Sequence, residues 1–386
     1  MIGVYNMQLL IGGDLVPTQS NIDLFKNADI TALLGDELLS LWNAADIRIF
    51  NLEVPLTDKE NPIAKCGLNL IAPICTVKGI KALNPTLLVL ANNHILDQGA
   101  QGLKSTKDTL NKNEILFVGI GDTLFEASKP QILQRDGLKI GVYACAEHEF
   151  TIATENTPGA NPFDPLESLD HIQSLKAGSD YVIVLYHGGK EHYRYPSPYL
   201  QKVCRKIAEK GADLVICQHS HCIGCFEKGD RSTIVYGQGN FLFDHSKSEF
   251  WKTSLLIKVS INDGLCVNYI PIVKKGKGVR LATGQAAEDI LSAFQQRSDE
   301  ILQDNFVEQQ YQKFAQENIQ SYLRRFFGFG KWLSRIDRRL LNGMLLKKKY
   351  NKKQLLAIHN YIECEAHREL VTKGLTITTK KKRMEE

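Results

Sequence analysis

A chain of 386 residues, 43% hydrophobic and 23% charged, has ordinary globular composition and enough length for one large domain with an appendage, or for two domains. Its formal charge of +4 is unevenly placed: residues 283–386 hold 19 of the 47 Lys+Arg and 13 of the 43 Asp+Glu, a net of +6, which leaves −2 for residues 1–282. The nine cysteines are odd in number and mostly sit in apolar runs, which speaks against a disulfide framework and for reduced, buried thiols.

The N-terminus, MIGVYNMQLLIGGDLVP, lacks a basic region, a long apolar core and a small-residue cleavage site, so no signal peptide is expected. No apolar segment approaches bilayer-spanning length, and the expected location is cytoplasmic, with peripheral membrane contact left open. From there to about residue 280, short β-branched or leucine-rich runs predict strands: MQLLIGG, DIRIFNLE, TLLVLAN, ILFVG, LKIGVYAC, YVIVLYH, DLVICQH and STIVYG. Amphipathic stretches between them, TALLGDELLSLWNAA, GLKSTKDTLNKNE and SPYLQKVCRKIAEKGA, predict helices, which together make an α/β pattern.

The runs TSLLIKVSI and LCVNYIPIV flank Asn262-Asp263-Gly264 and predict a hairpin that closes a first domain over residues 1–282. Residues 283–386 read as a basic, mainly helical region with a disordered tail from about 374. Within it Phe329, Leu333, Ile336, Leu340 and Met344 recur at helical spacing, with Lys331, Arg335, Arg338 and Arg339 on other faces. Such a basic amphipathic helix suits an anionic membrane surface or a protein partner, although docking on its own domain is the commoner use of such a stripe. No nucleic-acid motif accompanies the basic region, and Cys222-x-x-Cys225, half of a zinc-ribbon pattern, reads as packed thiols.

The polar residues gather where the strands end. MQLLIGG ends in Asp14, DIRIFNLE in Asn51 and Glu53, and TLLVLANNH in Asn92, Asn93 and His94, with Asp97 close behind. YVIVLYH ends in His187, DLVICQHSH in His219 and His221, and STIVYGQGN in Asn240. Parallel strands align their carboxyl ends along one edge, where open α/β folds place ligands. Six such endings together are hard to explain structurally, because clustered buried polar groups are costly unless paired or bound to a metal. Mixed nitrogen and oxygen donors of this kind suit Mn, Zn or Fe.

The ordered set Gly13-Asp14, Asn51-Leu52-Glu53, Asn92-Asn93-His94 with Asp97 and Gly99, His187-Gly188-Gly189-x-Glu191, GADLVICQHSH and YGQGNFLFD resembles the CapA family of poly-γ-glutamate capsule biosynthesis, a branch of the calcineurin-like metallophosphatases. The resemblance runs over roughly residues 7–245 and implies a four-layer α/β/β/α sandwich with a two-metal site between the carboxyl ends of two sheets. It implies Asp14 and His221 as ligands of the first divalent ion, Glu53 as the bridging carboxylate, and Asn93, His187 and His219 as ligands of the second. His94 would be the general acid or phosphate-orienting imidazole, held beside Asp97. Many calcineurin-like phosphatases have Asp-x-His in the first block where this chain reads Asp14-Leu15-Val16, the first site having lost a histidine as in the CapA branch; Glu191 or Asp97 could compensate, or the site could hold one tightly bound ion. Ser220 also stands where proline is usual.

The segment GGKEHYRYPSP adds Lys190, Glu191, Tyr193 and Arg194 which, with Asn240, are candidate contacts to an anionic small-molecule or polymer substrate; a solvated surface loop is the alternative. The expected function is a metal-dependent phosphoester hydrolase in surface-polymer biosynthesis. The alternative is a non-catalytic protein that uses the metal site to bind polymer or its carrier.

Overall fold

The computed structural model describes residues 7–385; the first six residues, part of the stretch examined for a signal peptide, lie outside the described residues. β1 (Met7–Val16) leads through α1 (Ile22–Lys26), α2 (Ile30–Leu34) and α3 (Asp36–Ala44) to β2 (Ile47–Leu52). Next come α4 (Val77–Ala82), β3 (Leu87–Val89), α5 (Gly99–Lys112), β4 (Phe117–Val118), β5 (Ile120–Gly121) and α6 (Leu124–Ala127). The middle of the chain forms β6 (Gln131–Arg135), β7 (Leu138–Ala146), β8 (Gly159–Ala160), α7 (Ser168–Ala177), β9 (Tyr181–His187), α8 (Pro198–Glu209) and β10 (Leu214–Gln218). β11 (Phe226–Lys228), β12 (Thr233–Val235), β13 (Asn240–Phe243), β14 (Thr253–Ile261), β15 (Leu265–Lys275) and β16 (Gly278–Leu281) complete the strands. Five helices follow: α9 (Gly284–Glu300), α10 (Phe306–Phe326), α11 (Lys331–Arg339), α12 (Met344–Lys349) and α13 (Lys352–Glu363), before a last one, α14 (Glu365–Glu385).

Two sheets carry the architecture. The first runs β16-β15-β14-β1-β2-β3-β4, with β13 also on β1; the second runs β11-β12-β10-β9-β7-β6. β1 to β4 and β13 are parallel in the first sheet, as are β7, β9, β10 and β12 in the second. Along one edge β1 pairs with β14 over Met7–Ile11 and, beyond that, with β13 over Asp14–Val16. The predicted hairpin is present, with Ile261 opposite Leu265.

Three cores fill the spaces between four layers. Leu9, Ile11, Ile49 and Val89 of the first sheet meet Ile140, Val142, Ile183 and Ile216 of the second, which forms the inter-sheet core. The opposite face of the first sheet, through Leu10, Phe50 and Leu88, packs under Phe25, Leu33, Trp42, Ile80 and Leu110 from its helices. Val182, Val184 and Val215 on the outer face of the second sheet pack under Leu175, Leu200, Val203 and Ile207 from α7 and α8. This is the expected α/β/β/α sandwich. Its sheets are buried on both faces, which is why their strands read as unbroken apolar runs.

Local sequence accounts for the elements. In α8, Ser197 accepts from the Leu200 N–H with Pro198 in the first turn, and Leu200, Val203, Cys204 and Ile207 face the core at helical spacing. The stretch TALLGDELLSLWNAA, read as one helix, is two, because Gly35 takes a φ of +72° that a continuing helix cannot hold.

The chain divides into two compact units, Met1–Glu308 and Gln309–Glu386. Strands end near residue 282, but the first unit continues because α9 inserts Phe294 into the inter-sheet core against Phe226 and Tyr269. Arg297 also donates to the Gly224 carbonyl at 2.7 Å. The second unit is helical. Where the sequence suggested disorder from about 374, α14 runs to Glu385; that stretch contains no proline, and Thr376, Thr378 and Thr379 return hydroxyl bonds to carbonyls four residues back. No helix among the described residues is long and apolar enough to cross a membrane.

Candidate metal centre

The carboxyl ends of β1, β2, β3, β9 and β10 deliver side chains to one buried place. Register sets Asp14 between Asn51 of β2 and Asn240 of β13. That register depends on close approach of β1 to the strand-leading turn at Gly239, since a Cβ on Gly13 would lie 2.0 Å from the Gly239 carbonyl. The Asn51 amide donates to Asp14 Oδ1 at 2.7 Å, and the Asn92 amide donates to Asn51 Oδ1 at 3.0 Å and to the Leu52 carbonyl at 2.9 Å. This chain of amides orients the carboxylate.

Two overlapping groups of donor atoms result, each with all its atoms within 4.8 Å of one another: Glu53, His187 and His219, and Asp14, Glu53 and His221. Glu53 belongs to both. It is fully buried, and neither carboxylate oxygen has a well-formed hydrogen bond, although Oε1 lies 3.3 Å from His187 Nε2. His219 Nδ1 is likewise buried without a partner. Asn93 Oδ1 stands 3.0 Å from His187 Nε2, so it flanks the first group. A shared carboxylate with open oxygens among imidazoles is the donor set a divalent cation needs, and the residues present fit such ions. His219 and His221 hold φ of 85° and 54°, a backbone region costly for such residues and characteristic of functional sites.

The electrostatics of these side chains follow from their crowding. Burial would raise the Asp14 carboxyl, but the hydrogen bond to His221 and the charges of His187 and His221 hold it down at about 2. Burial would lower His221, yet Glu53, Asp14 and the 2.9 Å bond to Asn240 push it up to about 9. His187 is raised against burial by Glu53 and Asp14. His219 is pushed well down by burial and by its two histidine neighbours. The His221 imidazole, raised beside Asp14 and Glu53, therefore supplies positive charge where these carboxylates converge.

His94 and Asp97 form a separate corner. His94 Nδ1 is 2.6 Å from Asp97 Oδ2, and the His94 N–H donates to Asn92 Oδ1 at 3.1 Å. Lys65, its side chain almost fully buried, pairs with Asp97 Oδ1 and stands 3.2 Å from His94 Nδ1. Asp97 also accepts from the Leu70 N–H at 2.6 Å. Asp97 is thus engaged as a support, and among the described residues neither it nor the exposed Glu191 joins the Asp14 group as a replacement ligand. Lys65, on an irregular loop, had no signal in the sequence.

The segment after β9 is placed differently from the expectation. Lys190 and Glu191 are exposed, and Tyr193 is buried. Arg194 donates to the Ile223 carbonyl at 2.9 Å and lies over the Phe250 ring at 4.8 Å, so its guanidinium braces the loop. Asn240 does reach the centre, through His221. Gly188 is required by packing, since a Cβ there would meet Tyr186 and Glu147 at 2.5 and 2.6 Å. His192, stacked on Phe250, accepts from Trp251 Nε1 at 2.9 Å, and the Trp251 ring lies 4.6 Å from that of His221. Cys222 and Cys225 are buried and belong to neither donor group, as packed thiols should.

A small pocket opens beside the centre, lined by Asn93, Glu147, Glu149, His187 and His219. Burial pushes the Glu147 carboxyl up, against the Gly189 N–H and the His187 charge. Glu147 was legible in principle: it ends the run LKIGVYACA of β7 as Glu53 ends β2.

Residues 8–245, more than half of the chain, match the family model described as bacterial capsule synthesis protein PGA_cap. The chain is 32% identical over 208 residues to the PGA biosynthesis protein CapA of Bacillus subtilis (strain 168), covering 53% of this chain and 55% of that protein. It is 30% identical over 221 residues to the capsule biosynthesis protein CapA of Bacillus anthracis, covering 55% and 54% respectively. The chain spans about half the length of the curated relatives it matches. Among solved structures, a novel phosphatase from Mycoplasma pneumoniae aligns with TM-score 0.44 and 14% identity over 70% of this chain and 95% of its own.

Proposed function

The chain belongs to the bacterial capsule synthesis protein family PGA_cap, and from that premise we propose that it is a metal-dependent hydrolase of phosphoesters, or of a related anionic group, in surface-polymer biosynthesis. The observation that carries the reading is Glu53, buried, without a well-formed hydrogen bond and common to both donor groups. Two divalent ions of Mn, Fe or Zn, when bound there, would supply Lewis acidity and a nucleophile at neutral pH.

Asp14 and His221 would hold one ion, His187, His219 and Asn93 the other, with Glu53 between them. Asn51 and Asn240 orient Asp14 and His221 by the hydrogen bonds already described. His94, fixed at Nδ1 by Asp97, whose charge Lys65 pairs, presents Nε2 as the atom that, when protonated, can give a proton to a departing oxygen. Lys190, exposed and near enough for its charge to act on Glu147, is the basic contact we assign to an anionic substrate. Arg194 acts on that site only by bracing the loop.

The thin Asp14 group favours a second reading. With three donors instead of four, Asp14, Glu53 and His221 could hold an ion that binds polymer or carrier without turnover.

The test is metal content by elemental analysis of the parent and His219→Ala, followed by phosphate release from a panel of phosphomonoesters and phosphodiesters. About two equivalents in the parent, fewer in the variant, and turnover that falls roughly a hundredfold or more in His94→Ala are expected. A metal-loaded parent without turnover but with polymer binding that survives His94→Ala favours the second reading. A parent that retains no metal refutes both.

A further inference from the structure

The stretch from Phe327 to Lys353 contains nine Lys and Arg and a single acid, Asp337. That acid does not face water. Asp337 is fully buried, accepts from the Leu345 N–H at 3.0 Å, and lies 3.4 Å from Arg324 Nε. The Gly343 N–H donates to the Asp337 carbonyl at 2.8 Å, so the turn between α11 and α12 closes over it, and Leu346 is buried as well.

Turning the acid inward leaves one kind of charge outside. Arg335, Arg338 and Arg339 are exposed, as are the lysines at 347, 348 and 349. Among them stand large apolar side chains in water: Trp332 is 77% exposed, Leu340 78% and Met344 64%, with Leu333 and Ile336 each 42%. Trp332, Ile336 and Leu340 repeat every four residues and so share one side of α11 and its end. The Arg335 guanidinium stands 5.7 Å from the Trp332 ring.

An exposed apolar set of this kind marks an interaction surface. Its basic surroundings select the partner: a second copy would bring like charges together, whereas an anionic interface would receive both the cations and the aromatic ring. Neither α11 nor α12 is long enough to span a bilayer, so the geometry is that of a segment lying in the headgroup plane.

We propose that α11 and α12 form an interfacial binding site for an anionic lipid surface, with Trp332, Leu333, Ile336 and Leu340 at the acyl boundary and the arginines and lysines on the headgroup phosphates. The site is independent of the metal centre and of the hydrolytic reading.

The test uses intrinsic fluorescence of the full chain, because Trp42 and Trp251 are buried and Trp332 is the exposed one of three tryptophans. Vesicles of phosphatidylcholine containing phosphatidylglycerol should shift the emission to the blue and co-sediment the protein, and added salt should reverse both. Phosphatidylcholine alone should do neither. Trp332→Phe should lose the shift and keep the co-sedimentation, while Arg338→Glu with Arg339→Glu should weaken partitioning by roughly tenfold or more. Absence of the shift, equal binding to phosphatidylcholine alone, or unaltered partitioning in the charge-reversed variant would overturn the proposal.

Discussion

A carboxyl group removed from water without hydrogen bonds is costly, and Glu53 is in that position. The raised His221 imidazole offsets part of that cost, and stability depends on pH as a result. The folded pKa of His221, about 9, lies above its ordinary 6.5, so the stability it contributes is fully present below 6.5 and is lost as pH rises through 9. Asp14, held at about 2 against an ordinary 3.8, contributes stability present above 3.8 and lost as pH falls through 2. Thermal melts in the presence of a chelator are therefore expected to weaken as pH falls below 6.5, where His219, pushed well down by burial, takes stability away, and to decline from pH 6.5 toward 9 through His221. Metal affinity should rise over the same interval, because binding displaces the His221 proton. A melting temperature flat across that interval would remove the Asp14–His221 pair as a source of stability. Most of the donor residues were legible one by one, since each stands where an apolar run stops. Lys65 was not, because nothing in an irregular loop marks a lysine that will be buried against Asp97.

At the scale of the element, strand ends aim the chemistry. β1 shares one edge between β14 and β13, and the change of neighbour falls at Asp14. Gly13 permits that contact. Gly13→Ala would force the Gly239 carbonyl away from its present 2.0 Å from the new Cβ, and is expected to destabilise the fold by about 2–3 kcal/mol. Urea unfolding should show the lower midpoint, with reduced metal content at native concentrations; an unchanged midpoint would mean that β13 can move freely. Apolar runs located β1, β2, β7, β9, β10, β14 and β15 well, because long buried strands concentrate apolar residues. The break between α2 and α3 was missed, since a glycine inside a helical pattern does not declare its φ.

For the whole molecule, the first unit holds the site only with its inter-sheet core closed. Phe294 seals that core from α9, beyond the last strand. Phe294→Ala is expected to destabilise the first unit by about 3–5 kcal/mol through the cavity it leaves, read by chemical denaturation. A loss below about 1 kcal/mol would show that α9 is dispensable to that core. The same helix explains why the compact unit extends past residue 282: composition changes where strands stop, whereas packing continues to Glu308.

The sequence by itself determined the α/β class, the parallel strands and the residue types that gather at their carboxyl ends. Period and composition are local properties, and burial on both faces leaves a local mark. Only the tertiary structure decided that Glu53 is shared between two donor groups, that Asp97 is committed to Lys65 and His94, that Arg194 braces a loop, and that Asp337 turns inward beneath a basic surface. Each of those outcomes depends on which distant side chain arrives within a hydrogen bond's length, a fact about packing that no window of sequence contains.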